Sequence, residues 1–197
     1  LEAHPLKGLS LKTTLSPTFS YNRYGFFEGT QAGQTQNTAK RSTNQGFSYT
    51  WDNQVTYDRM FGEDHHLNLM GLVSYTHGKS ESENFVFNKV LEGTYWWNLG
   101  STDQGYNYKD SGTGYSENSL MSYAVRGNYT YKGRYMFTGT VRWDGSSRFA
   151  SGNRWGSFPS AAVAWRISEE PFMEKIRNTV SNLKLRLSYG VTGNNSV

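Results

Sequence analysis

The sequence predicts an all-β chain: about seven antiparallel, up-and-down strands of a transmembrane β-barrel. Three observations lead there. Apolar and polar residues alternate with period two along most of the chain, and helical periodicity is nearly absent. Several alternating runs reach ten residues or more, close to the roughly 9–11 that a membrane-crossing strand needs. Short and long polar connections take turns along the chain, as in a meander with unequal ends.

The first strand, roughly 6–21, sets Leu9, Leu11, Leu15, Phe19 and Tyr21 against Ser10, Lys12, Thr14, Ser16 and Ser20. The second, 46–57, sets Phe47, Tyr49, Trp51, Val55 and Tyr57 against Ser48, Thr50, Asp52, Gln54 and Thr56. In the third, 66–76, Leu67, Leu69, Val73 and Tyr75 share a face, although Met70 and Leu72 blur the other one. The fourth, 120–131, carries Tyr123, Val125, Tyr129 and Tyr131 opposite Ser122, Arg126, Asn128 and Thr130. The fifth, 134–143, opposes Tyr135, Phe137, Val141 and Trp143 to Met136, Thr138, Thr140 and Arg142. The sixth, 156–168, presents Ala161, Val163, Trp165 and Ile167, and the seventh, 183–192, Leu183, Leu185, Leu187 and Tyr189. Arg166, Lys184 and Arg186 back these last two rows. Between them, Pro171 and Glu174 mark one short helix. Residues 22–45 and 77–118 read as long loops, and 58–64 and 131–134 as tight turns.

Composition narrows the function classes. The chain has no cysteine, which removes disulfides and thiolate metal sites. Its 14 Tyr, 11 Phe and 6 Trp are too many for a solvating, disordered tail. Basic residues are scattered rather than clustered, so the net charge of +4 does not indicate a nucleic-acid partner. Asp64, His65 and His66 are adjacent on a strand, where neighbours point to opposite faces, and read as a polar turn rather than a metal site. No catalytic constellation and no cofactor motif stands out, so the expectation is no enzyme and no cofactor. A soluble carbohydrate-binding β-sandwich shares the alternation and remains the main competitor, with an outer-membrane barrel enzyme as another. Tyr and Trp near strand ends favour the barrel, as an aromatic girdle would require. So do mid-strand charges on the opposite face, Arg126 and Arg142 among them, which suit a watery lumen. The aromatic run Tyr95, Trp96 and Trp97, with Tyr106 and Tyr108, is the candidate surface for stacking on a ligand or a partner.

Longer words in the chain carry a family resemblance. "YTWDNQVTYDRMFGEDHHLNLMGLVSY", "RGNYTYKGRYMFTGTVRWDGSSRFASGNRWGSFPSAAVAWRISEEPFM" and "SNLKLRLSYGVTGNN" resemble the barrel domain of SusC/RagA-like TonB-dependent outer-membrane transporters. The likeness runs from about Leu6 to Asn195, and Trp143 departs from the polar residue common there. It implies a multi-pass protein of the bacterial outer membrane, typical of Bacteroidota, with about 22 strands around a plugged lumen. It further implies import of oligosaccharides or peptides, a SusD-like surface lipoprotein over the outer mouth, and energy from the TonB complex through a plug domain. Residues 1–197 are then expected to be an internal portion of the barrel, without a plug. Arg126, Arg142, Arg166, Lys184 and Arg186 are the candidate lumen-facing side chains. Tyr95, Trp96, Trp97, Tyr106 and Tyr108 are the candidate contacts to substrate or lid.

Overall fold

The computed structural model describes residues 1–32, 35–93, 95–99, 105–176 and 178–193. It contains one eight-stranded antiparallel sheet in sequence order, a plain meander. The strands are β1 (Glu2–Leu6), β2 (Leu9–Glu28), β3 (Thr38–Phe61), β4 (His65–Asn88), β5 (Gly112–Tyr131), β6 (Tyr135–Ser146), β7 (Trp155–Arg166) and β8 (Lys184–Gly190). A 3-10 helix at Pro171–Ile176 stands where the sequence places its short helix.

Two features depart from the sequence reading. The strand expected at 6–21 is β2, and a further strand, β1, precedes it across a hairpin loop at Lys7-Gly8 that pairs Leu6 with Leu9. Gly8 sits at φ +83°, and a Cβ there would lie 2.3 Å from the Asp58 carbonyl oxygen, so only glycine fits. The two supposed long loops at 22–45 and 77–118 are partly strand, since β2, β3, β4 and β5 all extend into them. Their pairing there is polar on both faces, which erases the hydrophobic alternation. Ser42 donates to Asn84 at 2.6 Å, and the Gln45 amide donates to Glu81 at 2.7 Å. The first six connections alternate, with tight turns at 7–8, 62–64 and 132–134 and longer links at 29–37, 89–111 and 147–154, but the β7–β8 connection at 167–183, on the side of the tight turns, is long as well. At the β5–β6 turn Lys132 and Gly133 both take positive φ (51° and 65°), the hand that matches strand twist.

The chain divides into two compact units, and β2 to β5 contribute to both. The first comprises Leu1–Ser16, Thr50–Thr76 and Ser119–Val197. Its registers put like with like. Tyr131, Tyr135, Trp165 and Leu185 pair across four strands, as do Tyr129, Phe137, Val163 and Leu187. Gly127, Gly139, Ala161 and Tyr189 form the next row, then Val125, Val141 and Pro159. Every one of these positions is odd-numbered, and among the described residues no second layer covers them. Phe137 is 50% exposed, Val163 46% and Leu187 72%. A sandwich would bury these rows between sheets; here they lie bare, so the soluble-sandwich competitor does not describe this chain.

The second unit comprises Pro17–Tyr49 and His77–Asn118. On its odd parity Lys79 pairs with Glu81 at 2.6 Å, and the Lys79 ammonium lies over the Tyr115 ring. Tyr115 donates to Glu117 at 2.6 Å, and Glu117 faces His77 at 3.7 Å. The row of β4 that reads Leu67, Leu69 and Val73 within the first unit therefore reads His77, Lys79 and Glu81 within the second.

Candidate functional site

On the first unit the even parity carries polar ladders, interrupted by apolar residues such as Met70, Leu72 and Met136. Thr50 and Thr76 hydroxyls meet at 3.1 Å, and Ser74 donates to Asp52. Asn68 donates to Asp58 at 2.8 Å, and His66 Nε2 lies 3.1 Å from the same carboxylate. Asn128 donates to Asn68 at 3.2 Å and accepts from Thr138 at 2.9 Å, so one ladder crosses three strands. Arg126 donates to Thr140 at 3.2 Å. Arg142 Nε donates to both oxygens of Asp144 at 2.8 Å, and its Nη2 reaches the buried Ser122 hydroxyl at 2.9 Å.

Arg126 and Arg142 thus occupy the polar face that the alternation assigns them. Arg166, Lys184 and Arg186 lie on the same parity of β7 and β8, with Arg166 directly opposite Lys184 and Arg186 opposite Ala164. Two like charges placed across a pair repel, so this corner is a local cationic patch. The sequence reading places Asp52 on the polar face of its strand but leaves Asp58 to a turn and Asp144 just beyond its strand, although both continue the same face. Parity alone would have found both, because they are even-numbered strand residues. Among the described residues no group of three His, Asp or Glu side chains could hold a metal ion, and His65 instead contacts the Tyr129 hydroxyl at 2.6 Å.

The five candidate aromatics belong to the second unit and do not form one cluster. Tyr95 stacks on Trp97 at 4.6 Å between centroids, and Trp96 meets Trp97 edge-on at 5.7 Å. The Trp96 indole lies flat against Gly25 of β2, where an added Cβ would come within 2.2 Å of the ring, and Arg23 caps the ring at 5.4 Å. Phe27 completes the seat against Tyr95 at 5.4 Å. Tyr106 packs instead on Phe85 and Phe87 of β4, held by a bridge between Phe87 and Tyr106. Tyr108 is exposed. The arrangement offers stacking faces and polar ladders.

A recess of about 640 Å³ lies on the other side of the first unit, on its apolar parity. Leu11, Val55, Gly71, Val73 and Val125 line it. It has few polar groups to orient a solute, in contrast to the even-numbered face.

No family model matches the chain. It is 32% identical over 206 residues to "TonB-dependent receptor P26" of Formosa agariphila, covering 100% of this chain and 20% of that protein. It is 42% identical over 117 residues to "TonB-dependent receptor SusC" of Bacteroides thetaiotaomicron, covering 59% of this chain and 12% of that one. Among solved structures it superposes on the RagAB peptide transporter with a TM-score of 0.85 at 21% identity, over 100% of this chain and 22% of that one. The chain therefore spans about a fifth of the length of P26 and of the RagAB chain, and its fold is that of a segment of a large all-β barrel.

Proposed function

Since the chain belongs to the SusC/RagA-like family of TonB-dependent transporters, we propose that it is an internal portion of the wall and outer loops of an outer-membrane nutrient importer. Odd-numbered residues of the first unit face lipid, and even-numbered ones line the path. The chief support is the separation of the two parities between two aromatic rows. Tyr131, Tyr135 and Trp165 form one row, with ring centroids 6.3 and 6.5 Å apart. Tyr123, Trp143 and Trp155 form the other, where Tyr123 stacks on Trp155 at 5.9 Å. Tyr135 and Trp143 are eight residues apart, about 27 Å along a strand, which at barrel tilt spans an apolar band of about 20–25 Å. Within lipid the closed pairing of strands would satisfy every backbone group.

The odd row of the second unit, with His77, Lys79 and Glu81, is too polar for hydrocarbon and suits water beyond the bilayer. The connections at 29–37, 89–111 and 147–154 then lie outside the cell, and the tight turns, with the β7–β8 connection, in the periplasm. Arg126, Arg142, Arg166, Lys184 and Arg186 line the lumen, and an oligosaccharide or peptide passes along hydroxyl, amide and charged groups. Tyr95, Trp96, Trp97, Tyr106 and Tyr108 serve substrate or a SusD-like surface lipoprotein, and TonB drives the cycle through a plug domain. The RagAB neighbour is described as a peptide transporter, which keeps peptides beside glycans as cargo.

The test uses the full-length transporter in cells. A tag after Lys109 is labelled from outside, and one at Lys132 is not. Uptake of a fluorescent oligosaccharide or peptide pool stops when TonB is removed. Labelling only at Lys132 would invert the topology, and uptake of both pools without TonB would overturn the import mechanism.

A further inference from the structure

We propose that the β7–β8 connection is an interfacial foot of the wall, in which Phe172 and Ile176 insert into the headgroup boundary of the leaflet at the tight-turn end. This rests on the lipid-facing assignment of the odd parity. The segment is a six-residue 3-10 helix, Pro171–Ile176, with charged Glu174 and Lys175. Met173 is buried, at 7% exposure, and its N–H donates to the Glu170 carbonyl at 3.0 Å. Phe172 and Ile176 remain 65% and 48% exposed, on a connection where polar residues would serve a purely aqueous turn.

What decides the occupant is the side of the sheet on which the segment starts. Glu170, 8% exposed, accepts the Tyr135 hydroxyl at 2.6 Å and the Trp165 indole N–H at 2.8 Å, with Arg134 at 3.4 Å. Tyr135 and Trp165 both lie on the odd parity and belong to the stacked aromatic row at that end. The carboxylate therefore ties the start of the segment to the lipid-facing side, at the edge of the apolar band. The next residues meet the layer where headgroups and acyl chains join, which takes aromatic and aliphatic side chains beside cations such as Lys132 and Lys175. Six residues of 3-10 helix are too short to cross, so the contact is shallow. The membrane-facing surface of the wall thus continues past the last aromatic row instead of ending at it.

Because the chain has no cysteine, single cysteines carrying an environment-sensitive fluorophore report position directly in a cysteine-free, full-length transporter reconstituted in vesicles. Sites are Phe172→Cys, Ile176→Cys, Glu174→Cys and, as the mid-band reference, Leu187→Cys. Doxyl groups at the fifth or twelfth acyl carbon act as quenchers. The expected pattern is stronger quenching of site 187 by the deeper probe. Sites 172 and 176 should be quenched at least twofold more by the shallow probe than by the deep one, and site 174 by neither. If 187 is quenched and 172 and 176 behave like 174, the foot is wrong and the wall assignment survives. An unquenched 187 would remove both. Glu170→Ala should reduce quenching at 172 severalfold without changing 187; unchanged quenching at 172 would refute the anchoring part of the proposal.

Discussion

Ala161 and Ala162 are neighbours on β7, identical in chemistry and opposite in parity. Ala161 pairs with Gly139 and Tyr189, and Ala162 pairs with Thr138 and Ser188. Ala161 lies four residues from the aromatic row at Trp165, about 13 Å along the strand and about 10 Å in depth at a barrel tilt near 40°. Half of an apolar band about 25 Å tall is about 12 Å, so Ala161 sits close to the bilayer midplane. Ala161→Arg should therefore cost about 2–4 kcal/mol. Ala162→Arg adds a cation to a surface that already holds Thr138, Ser160 and Arg186, and should cost under about 1 kcal/mol. The assay is the guanidinium midpoint of the full-length transporter in lipid, followed by tryptophan fluorescence, alongside its abundance in outer membranes. A gap of about 1.4 kcal/mol is tenfold in the folding equilibrium, so the two variants should be well separated. Equal losses, or a larger loss at Ala162, would refute the assignment of faces.

Other consequences follow from single contacts. Gly8→Ala should destabilise the β1–β2 hairpin by more than about 1 kcal/mol, because the new Cβ meets the Asp58 carbonyl oxygen at positive φ; hydrogen exchange at Asp58, whose N–H donates to Gly8 at 2.7 Å, reads it. Gly25→Val should unseat Trp96 and make residues 95–99 cleavable by limited proteolysis, while an unchanged digestion pattern would contradict that packing. The Tyr135 hydroxyl, then the Trp165 indole N–H, hold the Glu170 carboxyl below its ordinary value, outweighing its desolvation. Its contribution is therefore complete above the unfolded value near 4.5 and lost as pH falls through the lower folded value. The stability gap between wild type and Glu170→Gln should be flat from neutral pH to about 5 and shrink in stronger acid.

Alternation made the first unit legible because one of its faces is apolar and the other is not. The rows through Phe137, Val163 and Leu187 are the rows the sequence displays, and the cations at 126 and 142 fall where parity puts them. The tracts 22–45 and 77–118, most of the second unit, read as loop because Ser42, Gln45, Glu81 and Asn84 pair through side-chain hydrogen bonds on both faces, which leaves no hydrophobic period to detect. The break at Lys7-Gly8 had a visible signal, since Lys132-Gly133 uses the same pair of residues in a tight turn that was recognised. The division of the aromatics was not legible: Gly25 and Trp96 lie 71 positions apart, and only the structure reveals that one makes room for the other.

Solvent and oxygen accessibility of spin labels placed one at a time from 121 to 130 and from 136 to 143, in the full-length transporter in lipid, tests the central claim most directly. Oxygen, which concentrates in hydrocarbon, should collide most with labels at 125, 127, 129, 137, 139 and 141. A water-soluble nickel complex should collide most with those at 126, 128, 138, 140 and 142. The two profiles should alternate residue by residue and in antiphase. Profiles in phase with each other, or uniformly wet at the odd positions, would contradict a wall that separates lipid from an aqueous path.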